Sequence, residues 1–193
     1  MPEIKQFPKM RVAYVTMIGP YGESTERGFG ALFAWLGANR VEPLGAPIGI
    51  FYDDPSKVAP ENMRSDLCAP VASDVEGSGE VSVKEIGAVK VATIMYQGDE
   101  NIVPAYNEVY DWLRAQGYRD SGAPMETYFT QPPEEIRAEI AVPIEKLELL
   151  PAPKKLAAKK PARKLAKRAA KKPAKQVAKK PVKKKATKRA KKK

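Results

Sequence analysis

Val12-Ala13-Tyr14-Val15-Thr16-Met17-Ile18-Gly19 returns 79 residues later as Val91-Ala92-Thr93-Ile94-Met95-Tyr96-Gln97-Gly98. Both are apolar, β-favouring runs that stop at a glycine, which is how a strand and the turn after it read. Three further blocks repeat in the same order. Gly28-Phe29-Gly30-Ala31-Leu32-Phe33-Ala34-Trp35-Leu36 pairs with Ala105-Tyr106-Asn107-Glu108-Val109-Tyr110-Asp111-Trp112-Leu113, setting Trp35 opposite Trp112, and both read as helices. The segment from Gly45 to Tyr52, followed by Pro55, pairs with Gly122 to Phe129, followed by Pro132; each is a strand entered from a Gly-Ala-Pro turn. Arg64 to Val71 pairs with Arg137 to Ile144 as another strand. The chain thus carries two copies of strand, helix, strand, strand, at about 9–72 and 85–146.

Neither copy can bury a core alone, so the economical assembly is an α+β fold with one antiparallel sheet and a pseudo-twofold axis between the βαββ copies. The helices then cover one face, and the opposite face is expected to hold a ligand groove. Alternation along the strands assigns side chains to faces. Ile140, Val142 and Ile144 are expected to meet the helices, leaving Glu139 and Ala141 opposite. By the same rule Leu67, Ala69 and Val71 point inward and Asp66 and Cys68 away, while Ala13, Val15 and Met17 point inward and Tyr14 and Thr16 away. In the third block Glu126 and Tyr128 share a face that is expected to be the uncovered one. The stretch Ala72 to Lys84 is rich in Ser, Gly and Glu and reads as a linker. Gly19-Pro20-Tyr21-Gly22 reads as the turn before a helix capped near Ser24 or Thr25.

Charge divides the chain sharply. Up to Glu148 there are 13 basic against 23 acidic residues, a balance of −10; beyond it, 21 basic residues stand with no acid. The expected organisation is therefore a globular domain at 1–148 and a disordered basic tail at 149–193. The opening residues lack the basic and then apolar run of a secretory signal, and no apolar stretch reaches membrane-spanning length, so a cytoplasmic, nucleoid-associated protein without a membrane partner is expected. Cys68 is the only cysteine and histidine is absent, which removes imidazole bases, His zinc ligands and Ser-His or Cys-His nucleophile pairs. Asp53, Asp54 and Asp66 lack regular ligand spacing, so neither a metal nor a cofactor is expected.

An acid between aromatic walls suits an organic cation or a flat, partly apolar molecule, because ring faces attract positive charge while the carboxylate neutralises it. Glu126, Glu139, Tyr14, Phe51, Tyr128 and Trp112 are the candidate ligand-binding residues. Glu126 and Glu139 read equally well as solvated acids on a wet sheet face. Trp35 reads as core, and Cys68 as a small packed residue without a basic neighbour to activate it.

With these blocks placed, the first 145 or so residues resemble the GyrI-like, or DNA gyrase inhibitory protein, family. They also resemble the effector-binding domains fused to AraC-type and multidrug-responsive transcription regulators. Ile18-Gly19-Pro20-Tyr21 before the helix, Gly49-Ile50-Phe51-Tyr52-Asp53-Asp54-Pro55, Met125-Glu126-Thr127-Tyr128 and Arg137-Ala138-Glu139-Ile140-Ala141-Val142-Pro143-Ile144 carry the likeness. The resemblance implies a duplicated βαββ sheet whose central groove takes varied, often cationic or aromatic, small molecules through a glutamate, with Glu126 and Glu139 at the two acidic positions. It also raises DNA gyrase as a partner. The alternative it raises is hydrolysis of cyclopropane-type DNA-alkylating toxins, in which Glu139, Glu126 and Tyr128 would be catalytic. Ala138 stands where other members often carry Thr or Ile. No helix-turn-helix precedes the module in this sequence, so direct transcription control is not expected.

From Pro151 onward Lys, Ala and Pro dominate, with Ala-Lys-Lys-Pro recurring at 158, 170 and 178. Proline and like-charge repulsion oppose a helix, and little apolar surface is available to bury. The composition resembles linker-histone tails. Lys159, Lys160, Lys171, Lys172, Lys179, Lys180, Lys183, Lys184 and Lys185 are the expected nucleic-acid contacts. No aromatic interrupts the run, which points to sequence-blind binding of DNA phosphates.

Overall fold

The computed structural model describes residues 1–98, 101–130 and 134–147. All of them fall in the unit Met1–Leu150; Pro151–Lys193, which holds the tail lysines named above, lies outside the described residues. Strands β1 (Glu3–Phe7) and β2 (Met10–Ile18) lead into helix α1 (Tyr21–Asn39), then β3 (Ile48–Phe51) and β4 (Arg64–Pro70). Strands β5 (Ser82–Ile86) and β6 (Val89–Gly98) lead into α2 (Val103–Ala115), then β7 (Tyr118–Asp120), β8 (Met125–Tyr128) and β9 (Ile136–Lys146). The α+β class and the antiparallel sheet expected from the repeat are both present. Helix α1 starts at Tyr21, straight after a turn at Gly19 (φ 136°), so Ser24 lies buried inside the helix and is not its cap.

The sheet order is β1-β6-β9-β8-β3-β4-β2-β5, with β7 added beside β9. Strands β1 and β2 stand six places apart in that order but are joined by Pro8 and Lys9 alone. Three Cα steps reach about 11 Å, whereas six places across a flat sheet span about 29 Å. The join between β5 and β6, through Gly87 and Ala88, makes the same demand from the other end. The sheet therefore curls on itself.

The register carries the twofold. Lys5 pairs Val91 as Lys84 pairs Val12; Val12 pairs Pro70 as Val91 pairs Pro143; Ile48 pairs Cys68 as Met125 pairs Ala141. Where β3 meets β8, Gly49 pairs Glu126, so the axis passes between these two residues. The repeat also extends further than the sequence blocks, because β5 is the counterpart of β1 at the same 79-residue offset as the first block. The expected linker therefore ends in a strand. Each copy's first strand pairs with the other copy: β1 lies against β6, and β5 against β2.

Both helices lie on one face. Helix α1 seats Leu32 and Leu36 among Ala13, Val15, Ala69 and Val71, and α2 seats Ala105, Val109 and Leu113 among Ala92, Ile94, Ile140 and Val142. The face away from the helices lines the inside of the curl and packs Phe7, Val12, Ile48, Ile50, Cys68, Val91, Met125 and Ala141 into a third apolar cluster. Burial there pushes the Cys68 thiol up to about 12, consistent with a packed and unreactive residue.

Candidate functional site

Glu126 and Glu139 lie on opposite faces of the sheet. Across the ladder from β8 to β9, Thr127 pairs Glu139 and Glu126 pairs Ile140, and Ile140 is in the core beneath α2. Paired residues share a face, so Glu126 and Tyr128 point to the helix side. The expectation that they face away from the helices is corrected. Alternation had grouped them rightly with each other but could not say which side that pair took. Four residues, Met125–Tyr128, are too short and too mixed to declare an inner face without the register.

The helix side at the axis is built from few residues. Gly49 stands where the twofold would otherwise put a second acid or side chain next to Glu126, and the Phe51 ring covers it; a Cβ on Gly49 would sit 2.8 Å from that ring. Only one carboxylate therefore stands on the axis. Glu126 is 6% exposed. It accepts a hydrogen bond from Tyr106 Oη at 2.6 Å and another from Tyr128 Oη. Burial pushes its pKa above the ordinary carboxylate range, against the two hydroxyl donors that pull the other way. Burial, and then the nearby Glu126 charge, raises both tyrosines well above their usual range.

Rings surround this acid. Phe29 on α1 meets Tyr128 edge-on at 5.6 Å and stacks with Phe33 at 6.0 Å; Tyr106 stacks with Tyr110 at 6.3 Å; Tyr21 meets Phe51 edge-on at 4.8 Å. The twofold relates Phe29 to Tyr106, Phe33 to Tyr110 and Phe51 to Tyr128. The second copy supplies the hydroxyls that hold Glu126, and the first copy supplies the bare rings facing them. That arrangement is a buried acid with an aromatic wall, the chemistry that suits an aromatic cation.

Of the six sequence candidates, Glu126, Tyr128 and Phe51 come together here. Tyr14 and Glu139 lie on the other face, inside the curl. Trp112 packs against the α2 core on the flank away from Tyr106 and Tyr110. Tyr106, Tyr110, Phe29 and Phe33 were missed. The signal was in the repeat: four residues apart on each helix, they share one flank at matched positions, a flank distinct from that of the tryptophans.

Residues 1–145 match the profile of the GyrI-like small molecule binding domain. The chain belongs to the GyrI-like family. A DNA gyrase inhibitor of Escherichia fergusonii is 30% identical to it over 127 residues, covering 63% of this chain and 81% of that one. Among solved structures, the EcmrR C-terminal domain superposes with a TM-score of 0.63 at 20% identity, covering 76% of this chain and 98% of the other. The structure of SAV2435 bound to tetraphenylphosphonium superposes at 0.50 with 12% identity, covering 75% and 94%. At these identities the superpositions establish a shared fold. Among the described residues of this GyrI-like domain, no helix is long and apolar enough to cross a membrane.

Proposed function

We propose that this GyrI-like domain captures aromatic cations between α1 and α2, with Glu126 as the counter-charge and Tyr106, Tyr128, Phe29 and Phe51 as its walls. The observation that carries the reading is a single buried carboxylate on the pseudo-twofold axis, held by tyrosine hydroxyls and enclosed by rings. An acid kept from water in that way gains most when a cation arrives, because the charge it balances is then desolvated too. The tetraphenylphosphonium carried by SAV2435, a protein of the same fold, supplies the probe. Titration of the full chain should give saturable binding that weakens at least about tenfold in Glu126→Gln, the scale of one lost charged contact. Equal affinity in the two proteins would overturn the reading.

The basic tail makes the second half of the proposal: the module is tethered without sequence preference to DNA, in the cytoplasm and at the nucleoid. It rests on the 21 cations beyond Glu148. If a third of them displace counterions, log affinity falls with log salt at a slope of about six. A filter-binding salt series with the full chain measures this, and a slope near zero would remove the tether. The relatives' name makes gyrase a candidate partner. A supercoiling assay with all 21 tail cations changed to Gln separates gyrase contact, which survives, from DNA coating, which does not.

A further inference from the structure

A second acid lies among aromatic rings inside the curl, on the face away from Glu126. Asp66 on β4 accepts hydrogen bonds from Thr16 Oγ1 at 2.6 Å and from Tyr52 Oη at 2.6 Å, and it pairs with the Lys84 ammonium. That ammonium also donates to Tyr52 Oη at 3.1 Å and stands 4.3 Å from the centre of the Tyr14 ring and 5.8 Å from that of Tyr52. One carboxylate, one phenol oxygen and one ring face, that of Tyr14, therefore surround a single alkylammonium. These are the groups by which proteins recognise such cations.

The molecule contains its own control. Lys5 on β1 is the twofold mate of Lys84 on β5, and Glu139 is the mate of Asp66; Lys5 Nζ meets Glu139 Oε1 at 2.7 Å. Both pairs fasten an exchanged edge strand. The Tyr14 ring and the Tyr52 hydroxyl belong to one of them alone: Thr93 occupies the position of Tyr14, and Phe129, at the position of Tyr52, has no hydroxyl, although the rings of Tyr52 and Phe129 each face their own copy's arginine, Arg64 or Arg137, at 6.0 Å. The side chains differ accordingly, with Lys84 and Asp66 25% and 8% exposed against 42% and 19% for Lys5 and Glu139. An ion pair open to solvent is enough to fasten β1, so the cage around Lys84 exceeds what fastening β5 requires.

We propose that Tyr14, Thr16, Tyr52 and Asp66 form a second cation site, for the primary ammonium of an alkylamine, which Lys84 fills in cis. The site is independent of the Glu126 groove. It takes a compact aliphatic ammonium with N–H donors for Asp66 and Tyr52, so a quaternary ammonium, which has none, binds at least about tenfold more weakly. Lys84 belongs to an edge strand paired only through Met10–Tyr14, so vacating the cage is a local change.

The test is rescue of the full chain carrying Lys84→Ala by n-butylammonium, which is the lysine side chain without its backbone. The melting temperature should rise saturably with n-butylammonium, by linkage, and far less with tetramethylammonium at matched ionic strength. Adding Asp66→Asn should abolish the rescue, and Lys5→Ala should show none. An equal response of wild type and Lys84→Ala, or rescue that survives Asp66→Asn, overturns the proposal. If Lys84→Ala does not fold, wild type labelled at lysine Cε gives the answer. The Lys84 resonance, shifted by the Tyr14 ring, should move saturably toward the free-lysine position as n-butylammonium is added, and a resonance that stays in place overturns the site.

Discussion

Asp66 and Glu126 are both buried, and both accept tyrosine hydroxyls, yet their acidities move in opposite directions. Burial pushes each carboxyl up. At Asp66 the Lys84 ammonium, Thr16 and Tyr52 together outweigh burial and hold it below the ordinary range. At Glu126 the hydroxyls of Tyr106 and Tyr128 do not outweigh it. What separates the two sites is a cation supplied in cis. A carboxylate that already has its ammonium contributes to the fold, whereas one held by neutral donors alone is left with electrostatic attraction for something else.

The largest expected effect comes from breaking that contrast on the Asp66 side. Asp66→Ala leaves a half-buried ammonium without its acid and should cost about 3 kcal/mol, toward the low end for breaking a buried pair because Lys84 keeps some access to water. Its twofold mate gives the comparison: Glu139→Ala leaves a Lys5 that is open to solvent and still paired with Glu3 at 3.0 Å, and should cost less than about 1 kcal/mol. Denaturant midpoints of the two variants measure the difference, and equal losses would mean that the cage adds nothing.

A smaller effect is expected at Glu126, and its sign is opposite. Because its folded pKa lies above the ordinary value of 4.5, its contribution is fully present below that value and is lost as pH rises through the higher folded one. Asp66, held below its ordinary 3.8, contributes above that value and loses its contribution as pH falls through the lower folded one. Stability of Glu126→Gln should therefore not fall on the neutral side, and near pH 7 the variant should exceed wild type by about 1 kcal/mol, since a buried charge has been removed. Thermal melts between pH 4 and 8 test this. A variant that gains stability while losing tetraphenylphosphonium marks a residue kept for binding at the expense of the fold.

The fold was largely legible because duplication doubled each signal: Val12–Gly19 against Val91–Gly98 fixed two strands at once, and the Gly-Ala-Pro turns located two more. Strand β5 escaped because Ser82-Val83-Lys84-Glu85-Ile86 sits in a Ser/Gly/Glu-rich stretch and three of its five residues are charged or polar. Only its 79-residue match to Glu3-Ile4-Lys5-Gln6-Phe7 reveals it. The site was half legible. Residue chemistry picked out Glu126, Tyr128 and Phe51, but the side of the sheet the acid occupies depends on the pairing of Glu126 with Ile140, which no local pattern encodes. The curl was not legible at all, since it follows from joining two-residue connections to a strand order that only the folded chain displays.

The smallest effect is expected at Trp112, and it tests whether the groove is defined by helix flank or merely by nearby aromatic content. At 100° per residue, Tyr106 and Tyr110 stand about 60° and 100° to one side of Val109 on α2, and Trp112 about 60° to the other. Val109 is fully buried in the core beneath the helix, so the two flanks open in different directions. Trp112→Phe should therefore leave tetraphenylphosphonium affinity within about twofold, under half a kcal/mol, while Tyr106→Phe removes a donor to Glu126 and changes both affinity and its pH dependence. If Trp112→Phe instead weakened binding as strongly as Tyr106→Phe, the ligand would have to reach across the outer flank of α2, and the axis at Gly49 and Glu126 would no longer be its centre.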